Sequence, residues 1–223
     1  MQFSAGNSNF DLKINATRML QKVLWVLAVV LAIAIGFYPV IYFLIDRKFG
    51  LLSSKSDELL SNILWNAGFY THILLGGVAL LIGWIQFSKK IRNKHLNTHR
   101  LLGKIYVGCV VLSSLAAIGI GFFATGGPIA ASGFVALGIT WFITTVLAFR
   151  FAKDREVERH RKMMIYSYAA CFAAVTLRIW LPLLAMTFSD FIIAYRIVAW
   201  LCWVPNIMVA ALITRRQVIQ HQA

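Results

Sequence analysis

The sequence alternates long apolar stretches with short polar connections. Six of these stretches are long enough to cross about 30 Å of hydrocarbon as an α-helix, which rises about 1.5 Å per residue. The six stretches are residues 23–45, 62–87, 99–124, 130–149, 163–186 and 191–214. Their apolar character is continuous, whereas the strands of a membrane β-barrel alternate apolar and polar positions. The pattern therefore predicts an all-α fold, a polytopic integral membrane bundle of six transmembrane helices.

The composition supports a membrane protein and excludes two other classes. Apolar residues make up 60% of the 223 residues, and charged residues only 13%. The mean hydropathy is +0.74. Such a chain is too apolar to be disordered, and its apolar runs are too long for an ordinary soluble core. The partner that it requires is the lipid bilayer.

The distribution of charge predicts the orientation in the membrane. The formal net charge of +14 would indicate nucleic-acid binding in a soluble domain. Here most of the 22 Lys and Arg residues flank the spans on one face, so the charge is a topology signal and no nucleic-acid partner is expected. These residues are Lys13, Arg18, Lys22, Lys89, Lys90, Arg92, Lys94, Arg100, Lys104, Arg150, Lys153, Arg155, Arg159, Arg161, Lys162, Arg215 and Arg216. The opposite face holds Arg47, Lys48 and Lys55, offset by Asp46, Asp57 and Glu58. The positive-inside rule places both termini in the cytoplasm.

The first apolar stretch is predicted to be a permanent span. It is longer than the roughly 7–15 residues of a signal-peptide core, and no presequence composition precedes it. The simplest location is the bacterial plasma (inner) membrane, crossed several times. The chain then divides into a cytoplasmic segment 1–22, a transmembrane domain 23–214 and a cytoplasmic tail 215–223. The connection 125–129, TGGPI, is predicted to be a turn.

Polar groups inside the spans are costly, so they mark candidate sites. Those predicted nearer the outer face are His72, Arg178 and Arg196, and those at the inner boundary are His99, His160, Gln86 and His95. The three cysteines, Cys109, Cys171 and Cys202, are too widely spaced for a local metal site and are expected to be apolar packing residues.

Helical spacing groups some of these residues. Arg178 follows His160 by five turns, or about 27 Å of rise, so one continuous helix would place both on the same face with Ser167. In the second apolar stretch, His72 is followed at helical spacing by three small residues and then by Gln86. The small residues are Gly76, Ala79 and Gly83. This small-residue stripe indicates either tight helix packing or a groove for a flat ligand.

A His-Arg pair occurs twice, in HRLLGKIY at 99–106 and in HRKMMIY at 160–166. Both pairs open a helix from the cytoplasmic side, so His99 and His160 are candidate iron ligands of a bis-histidine haem b, or part of another metal site. The alternative is that both lie at a wet interface beside basic anchors for lipid phosphates. Asn97 and Thr98 are predicted to cap the helix and separate His99 from His95, which disfavours a zinc-type pair.

The outer polar residues leave two interpretations open. His72 has no second histidine, so two haems are not supported and one haem remains. Arg178 and Arg196 would neutralise an anion such as a haem propionate, a lipid phosphate or a quinone-like head group. Alternatively, both arginines lie in an aromatic belt, paired with Asp190 or with helix carbonyls. Asn206, after Pro205, is predicted to need a hydrogen-bond partner.

Four segments together resemble the bacterial predicted-membrane-protein family catalogued as domain of unknown function 2306. They are HILLGGVALLIGWIQF at 72–87, HRLLGKIYV at 99–107, HRKMMIYSYAACFAAVTLRIWLP at 160–182 and WLCWVPN at 200–206. The matching positions are His72, Gly76, Gln86, His99, Arg100, Gly103, Tyr106, His160, Arg161, Met164, Tyr168, Arg178, Pro182, Trp203 and Asn206. The resemblance covers residues 62–214 and excludes the first helix. It implies an integral membrane protein in which His72, His99, His160 and Arg178 act together, and it supplies no activity.

Three functions fit these residues. The favoured hypothesis is a haem-binding or redox-active membrane protein that uses His99 and His160, or His72, as ligands, with Arg178 and Arg196 holding anionic groups. The second is a non-redox binder or carrier of a small anionic or lipid-like ligand. The third is an assembly factor that binds a membrane-complex partner or forms a homo-oligomer. Whether the protein is an enzyme stays open, because no nucleophile elbow, carboxylate pair or HExxH motif is present.

Overall fold

The computed structural model describes the backbone of residues 5–45 and 48–222, and the side chains of residues 16, 19–45 and 48–216. Asp46 and Arg47 lie outside the described residues. The side chains of Lys13, Arg18 and His221 lie outside them too, so their predicted contributions to the charge pattern and to the tail carry no structural account here.

All the long elements of the described chain are helical. The α-helices are α1 (Ala5–Phe37), α2 (Ile41–Leu44), α3 (Asp57–Ser61), α4 (Ile63–Gly83), α5 (Lys89–Lys94), α6 (Leu96–Gly121), α7 (Pro128–Lys153), α8 (Val157–Cys171), α9 (Ala173–Phe188), α10 (Phe191–Leu201) and α11 (Val204–Gln222). They form six spans long and apolar enough to cross a membrane: Met19–Leu44, Ile63–Phe87, Leu96–Gly121, Pro128–Lys153, Val157–Phe188 and Phe191–Arg216. The prediction of an all-α bundle with six transmembrane helices is confirmed.

Local capping explains where several helices begin. The side chains of Ser56, Asn62, Ser88 and Asp190 each accept a hydrogen bond from a backbone N–H in the first turn of α3, α4, α5 and α10. These N–H groups have no partner inside the helix, so the caps satisfy them. The predicted turn before α7 is confirmed, because Gly126 and Gly127 both adopt positive φ angles and α7 begins at the next residue.

The predicted cap at Asn97 and Thr98 is wrong. Helix α6 already begins at Leu96, and the break lies one residue earlier, at His95, whose φ and ψ of −133° and 60° leave the helical region. The carbonyl of His95 accepts a hydrogen bond of 3.0 Å from the backbone N–H of His99. His95 is exposed and belongs to the break between α5 and α6, so it still does not share one helix with His99.

The fifth and sixth spans are each interrupted, which the sequence-based spacing did not anticipate. In the fifth span, α8 ends at Cys171 and α9 begins at Ala173. There the N–H of Val175 bonds to the carbonyl of Phe172 at 2.9 Å, a 3₁₀-type contact that tightens the turn. The fifth span is therefore two helices joined at Phe172, which itself has helical φ and ψ angles, and the shared face of His160 and Arg178 stays a prediction. The sixth span breaks between Leu201 and Val204, just before Pro205.

Glycines allow several helix backbones to approach closely. A methyl group built on Gly77 in α4 would lie 2.7 Å from the carbonyl oxygen of Gly36 in α1, and one on Gly76 would lie 3.1 Å from the Ser113 hydroxyl in α6. A methyl group on Gly83 would overlap the ring of Tyr168. Gly76 and Gly83 of the small-residue stripe thus serve tight helix packing, and the predicted groove for a flat ligand stays a prediction. All three cysteines are free, as predicted.

Replacing Gly133 with Ala should destabilise the bundle. A methyl group at Gly133 in α7 would lie 2.8 Å from the carbonyl oxygen of Ala199 in α10, and a backbone atom cannot rotate away. Overpacking of this kind costs about 1–3 kcal/mol. We therefore expect a lower unfolding temperature for the purified protein in detergent.

Gly119→Ala is the matched control for this prediction. No atom lies within 4 Å of a methyl group at Gly119, and Ala favours a helix over Gly by about 1 kcal/mol. This variant should be as stable as the unmodified protein or more stable. Equal unfolding temperatures for both variants would contradict the assigned contact between α7 and α10.

Candidate ligand-binding cavities

Two cavities lie toward opposite ends of the described part of the bundle. We call the first the basic-end cavity, because it lies at the end of the connections 88–95 and 154–156, and it has a volume of about 980 Å³. The second, the far cavity, lies toward the connections 45–62 and 122–127 and has a volume of about 230 Å³. His99, His160 and Gln86 line the basic-end cavity, and His72 and Arg178 line the far cavity.

The basic-end cavity brings together the two histidines of the repeated His-Arg pair. His99 comes from the first turn of α6 and His160 from the first turn of α8. His160 Nδ1 lies 2.8 Å from the carbonyl oxygen of Ala148. Because a carbonyl only accepts hydrogen bonds, Nδ1 carries a proton, and in the neutral ring Nε2 then has a free lone pair. His99 Nδ1 is buried and makes no hydrogen bond to the residues that the structure describes.

Gln86 is a third polar side chain of this cavity, and its amide nitrogen is buried without a hydrogen-bond partner among the described residues. Gln86 is 8% exposed and lies on the 3₁₀ turn Trp84–Phe87 that ends the second span. Its amide nitrogen, Nε2, makes no hydrogen bond to the described part of the protein. A buried amide donor in this state costs about 1–3 kcal/mol. A ligand with an acceptor oxygen at this position would remove that cost.

Charge and apolar surface are separated within the basic-end cavity. Apolar and aromatic residues such as Val107, Met164 and Phe172 line its deeper part. The basic residues that line it are Lys89, Arg92, Arg100, Lys104, Lys153 and Arg161. Glu158 is the single acidic residue among the lining residues. This arrangement suits an amphiphilic anion, with the apolar body inside and the negative groups at the rim.

The far cavity holds His72 and Arg178 in fixed positions. His72 Nδ1 lies 3.1 Å from the hydroxyl oxygen of Ser113, which in turn donates to the His72 carbonyl at 2.9 Å. The guanidinium of Arg178 stacks 4.1 Å above the ring centre of Tyr38, and its Nη1 donates to the carbonyl of Ala174 at 2.8 Å. No carboxylate in the described residues forms an ion pair with Arg178.

The structure does not bring Arg196 to Arg178. Arg196 is exposed, and its Nε donates to the carbonyl of Gly126 at 2.7 Å in the turn before α7. The pairing with Asp190 is also wrong, because Asp190 Oδ1 accepts the backbone N–H groups of Ile192 and Ile193. Both Arg178 and Arg196 donate to backbone carbonyls, which is one of the predicted alternatives.

Two networks of hydrogen bonds made by polar side chains connect helices in the middle of the bundle. The hydroxyl of Ser167 in α8 lies 2.9 Å from that of Tyr106 in α6 and 2.6 Å from that of Thr145 in α7. Thr145 was missed by the sequence reasoning, since a lone Thr in an apolar span gives no signal. Asn206 has the partners that it was predicted to need: its Nδ2 lies 3.0 Å from the carbonyl of Cys202 and 3.1 Å from the hydroxyl of Thr176.

The comparison with protein families matches the part of the chain that contributes most of the residues lining these cavities. The family model described as Predicted membrane protein (DUF2306) matches residues 69–214, so the chain belongs to this family. The match runs from the second span to the sixth and leaves out the first, as the resemblance implied. The family description gives a membrane location and no activity. No curated protein and no solved structure matches the chain.

Replacing Ser167 with Ala should destabilise the protein by about 1–3 kcal/mol. The change removes the hydroxyl that joins Tyr106 to Thr145 and leaves the buried Tyr106 hydroxyl without that partner. Unfolding of the purified protein in detergent measures the loss. The control is Ser132→Ala, because Ser132 is exposed and bonds only to its own helix at Ile129. If both variants unfold alike, the network does not stabilise the bundle.

Proposed function

We propose that this DUF2306 protein binds one haem b in the basic-end cavity, with His99 and His160 as the axial ligands of the iron. The observation that carries the proposal is that two helices contribute one imidazole each to the same cavity. His160 is oriented by the Ala148 carbonyl, which leaves its Nε2 available for a metal. The ring of His99 is held by no hydrogen bond in the described residues.

The other lining residues fit the remaining parts of a haem. The cavity volume of about 980 Å³ is at the upper end of the range for ligand pockets, about 300–1,000 Å³. Apolar side chains including Val107 and Met164 would exclude water from the macrocycle, and the basic rim would pair with its propionates. The unpartnered Gln86 amide offers a further donor. A haem held by two imidazoles supplies one-electron transfer.

The same cavity favours one alternative, a non-redox site for an anionic lipid-like ligand. The rim carries six basic residues against one acidic residue, and the first span contributes Trp25 and Ala28 to the lining. A lipid phosphate would pair with the rim while its chains pass between the spans. This ligand would need the basic residues and not the imidazoles.

The haem proposal predicts a defined absorption spectrum. The full chain, expressed with haem precursor and purified in detergent, should show a Soret band and, after dithionite reduction, a sharp α-band, at one haem per chain. His99→Ala and His160→Ala should each abolish this spectrum because each removes an axial ligand. His95→Ala is the control, since His95 is exposed and lies outside the cavity lining.

Two outcomes would overturn this proposal. A folded but colourless protein would remove haem as the ligand, and binding of anionic-lipid vesicles that depends on Arg100 and Arg161 would then support the alternative. A spectrum lost only in His72→Ala would place the iron in the far cavity, against the assignment made here. Folding of each variant is checked by its elution volume and helical circular dichroism.

We also infer that the protein lies in the bacterial inner membrane with its basic end in the cytoplasm. The support is the positive-inside rule applied to the connections 88–95 and 154–156. A green fluorescent protein fused after the last span should fluoresce, and alkaline phosphatase fused there should be inactive. The reverse pattern, an active phosphatase and a dark fluorescent fusion, would contradict this orientation.

A further inference from the structure

We propose that the far cavity is a second and independent binding site, which takes a small carboxylate with an apolar body and orients its negative group toward Arg178. The proposal does not depend on a haem in the basic-end cavity. It uses residues that the haem proposal leaves without a role, and it rests on three features of the cavity: its unpartnered donors, its charge and its size.

The first feature is a set of buried donors without acceptors. The indole nitrogens of Trp65 and Trp141 are buried and make no hydrogen bond within the described chain, and both side chains line the far cavity. These residues are only 6% and 5% exposed. An indole N–H can donate but not accept. For Trp65 the missing partner is therefore an acceptor atom supplied by something in the cavity, whereas the indole of Trp141 also has the Tyr106 hydroxyl within reach.

The second feature is the sign of the charge. Two cationic side chains, Arg178 and Lys55, line the far cavity, and none of its lining residues is Asp or Glu. Arg178 donates to the carbonyl of Ala174 and contacts Tyr38, and because a guanidinium has five N–H donors, some of them remain available to an anion. Lys55 is half-buried, its ammonium donates to the carbonyl of Phe123, and burial lowers its pKa. An anion in the cavity would be attracted by both cations.

The third feature is size. At about 230 Å³ the far cavity is smaller than the pockets of drug-sized ligands, which begin at about 300 Å³. Its walls are mainly apolar, from residues such as Ile73, Leu80 and Leu177. A single ring or a short alkyl chain with one carboxylate fits this volume and polarity. A phospholipid head group with its chains, or a tetrapyrrole, does not.

The comparison of two cavity-sized probes tests this assignment. Benzoate and benzamide have nearly the same shape and differ in charge, and the titration of each into the full chain in detergent can be followed by tryptophan fluorescence and calorimetry. We expect benzoate to bind about 10- to 100-fold more tightly than benzamide, as is typical of a hydrogen bond to a charged group. Equal affinity for the two probes, or no binding of benzoate to the folded protein, would overturn the proposal.

Variants identify the residue that selects the anion. Arg178→Gln should remove the preference for benzoate, and Arg178→Lys, which keeps the charge, should retain part of it. Arg196→Gln is the matched control, because Arg196 also lies in a span but is exposed and outside the cavity lining. An unchanged benzoate affinity in a folded Arg178→Gln protein would refute the role of Arg178. So would an equal loss in Arg196→Gln.

The two sites can be distinguished in one further measurement. The double variant His99→Ala, His160→Ala lacks both proposed iron ligands of the basic-end cavity and changes nothing in the far cavity. Benzoate should bind to it as to the unmodified protein. Loss of benzoate binding in this folded double variant would show that the far cavity is not an independent site. Tighter binding of duroquinone than of benzoate would assign the cavity to neutral carbonyl compounds instead.

Discussion

Hydrocarbon offers no hydrogen bonds, so every polar group inside a span must find a partner within the protein or in a ligand. This constraint accounts for most of the polar contacts described here. Tyr106, Thr145 and Ser167 satisfy one another across three helices. Asn206 is satisfied by Cys202 at the break in the sixth span and by Thr176 in the fifth span. These pairs fix the helices of the bundle at two depths.

The groups that violate the constraint are concentrated at the cavities. Five buried side-chain donors or acceptors have no hydrogen bond among the described residues. Gln86 and His99 line the basic-end cavity, and Trp65 and Trp141 line the far cavity. Trp84 is the exception, since it lines neither of the two cavities. Because unpaired groups weaken a bundle, their concentration around cavities indicates positions where a ligand completes the structure.

The sequence predicted the membrane spans well, but it predicted the arrangement of the cavity residues only in part. A span is encoded by about 20 consecutive residues. The direction in which one side chain points relative to another depends instead on the exact geometry of every helical turn between them. The tightened turn at Phe172 contains no Pro or Gly, so nothing in the sequence signals it, and it interrupts the helix between His160 and Arg178. The family match over residues 69–214 includes the four segments that carried the resemblance, but it gives no information about their geometry. Contacts such as that of Arg196 with Gly126 depend on how a turn folds back, which periodicity does not encode.

The two ends of the fifth span differ in chemistry. The imidazole of His160 and the guanidinium of Arg178 lie 18 residues apart, or about 27 Å of helical rise, so each helps to line a different cavity. At the basic end, two imidazoles meet in a volume large enough for a planar cofactor. At the far end, the one imidazole, His72, is held by Ser113 in a space of about 230 Å³, below the size of a pocket for a drug-sized ligand. The difference in volume and in lining is why we propose a large prosthetic group for one cavity and a small anion for the other.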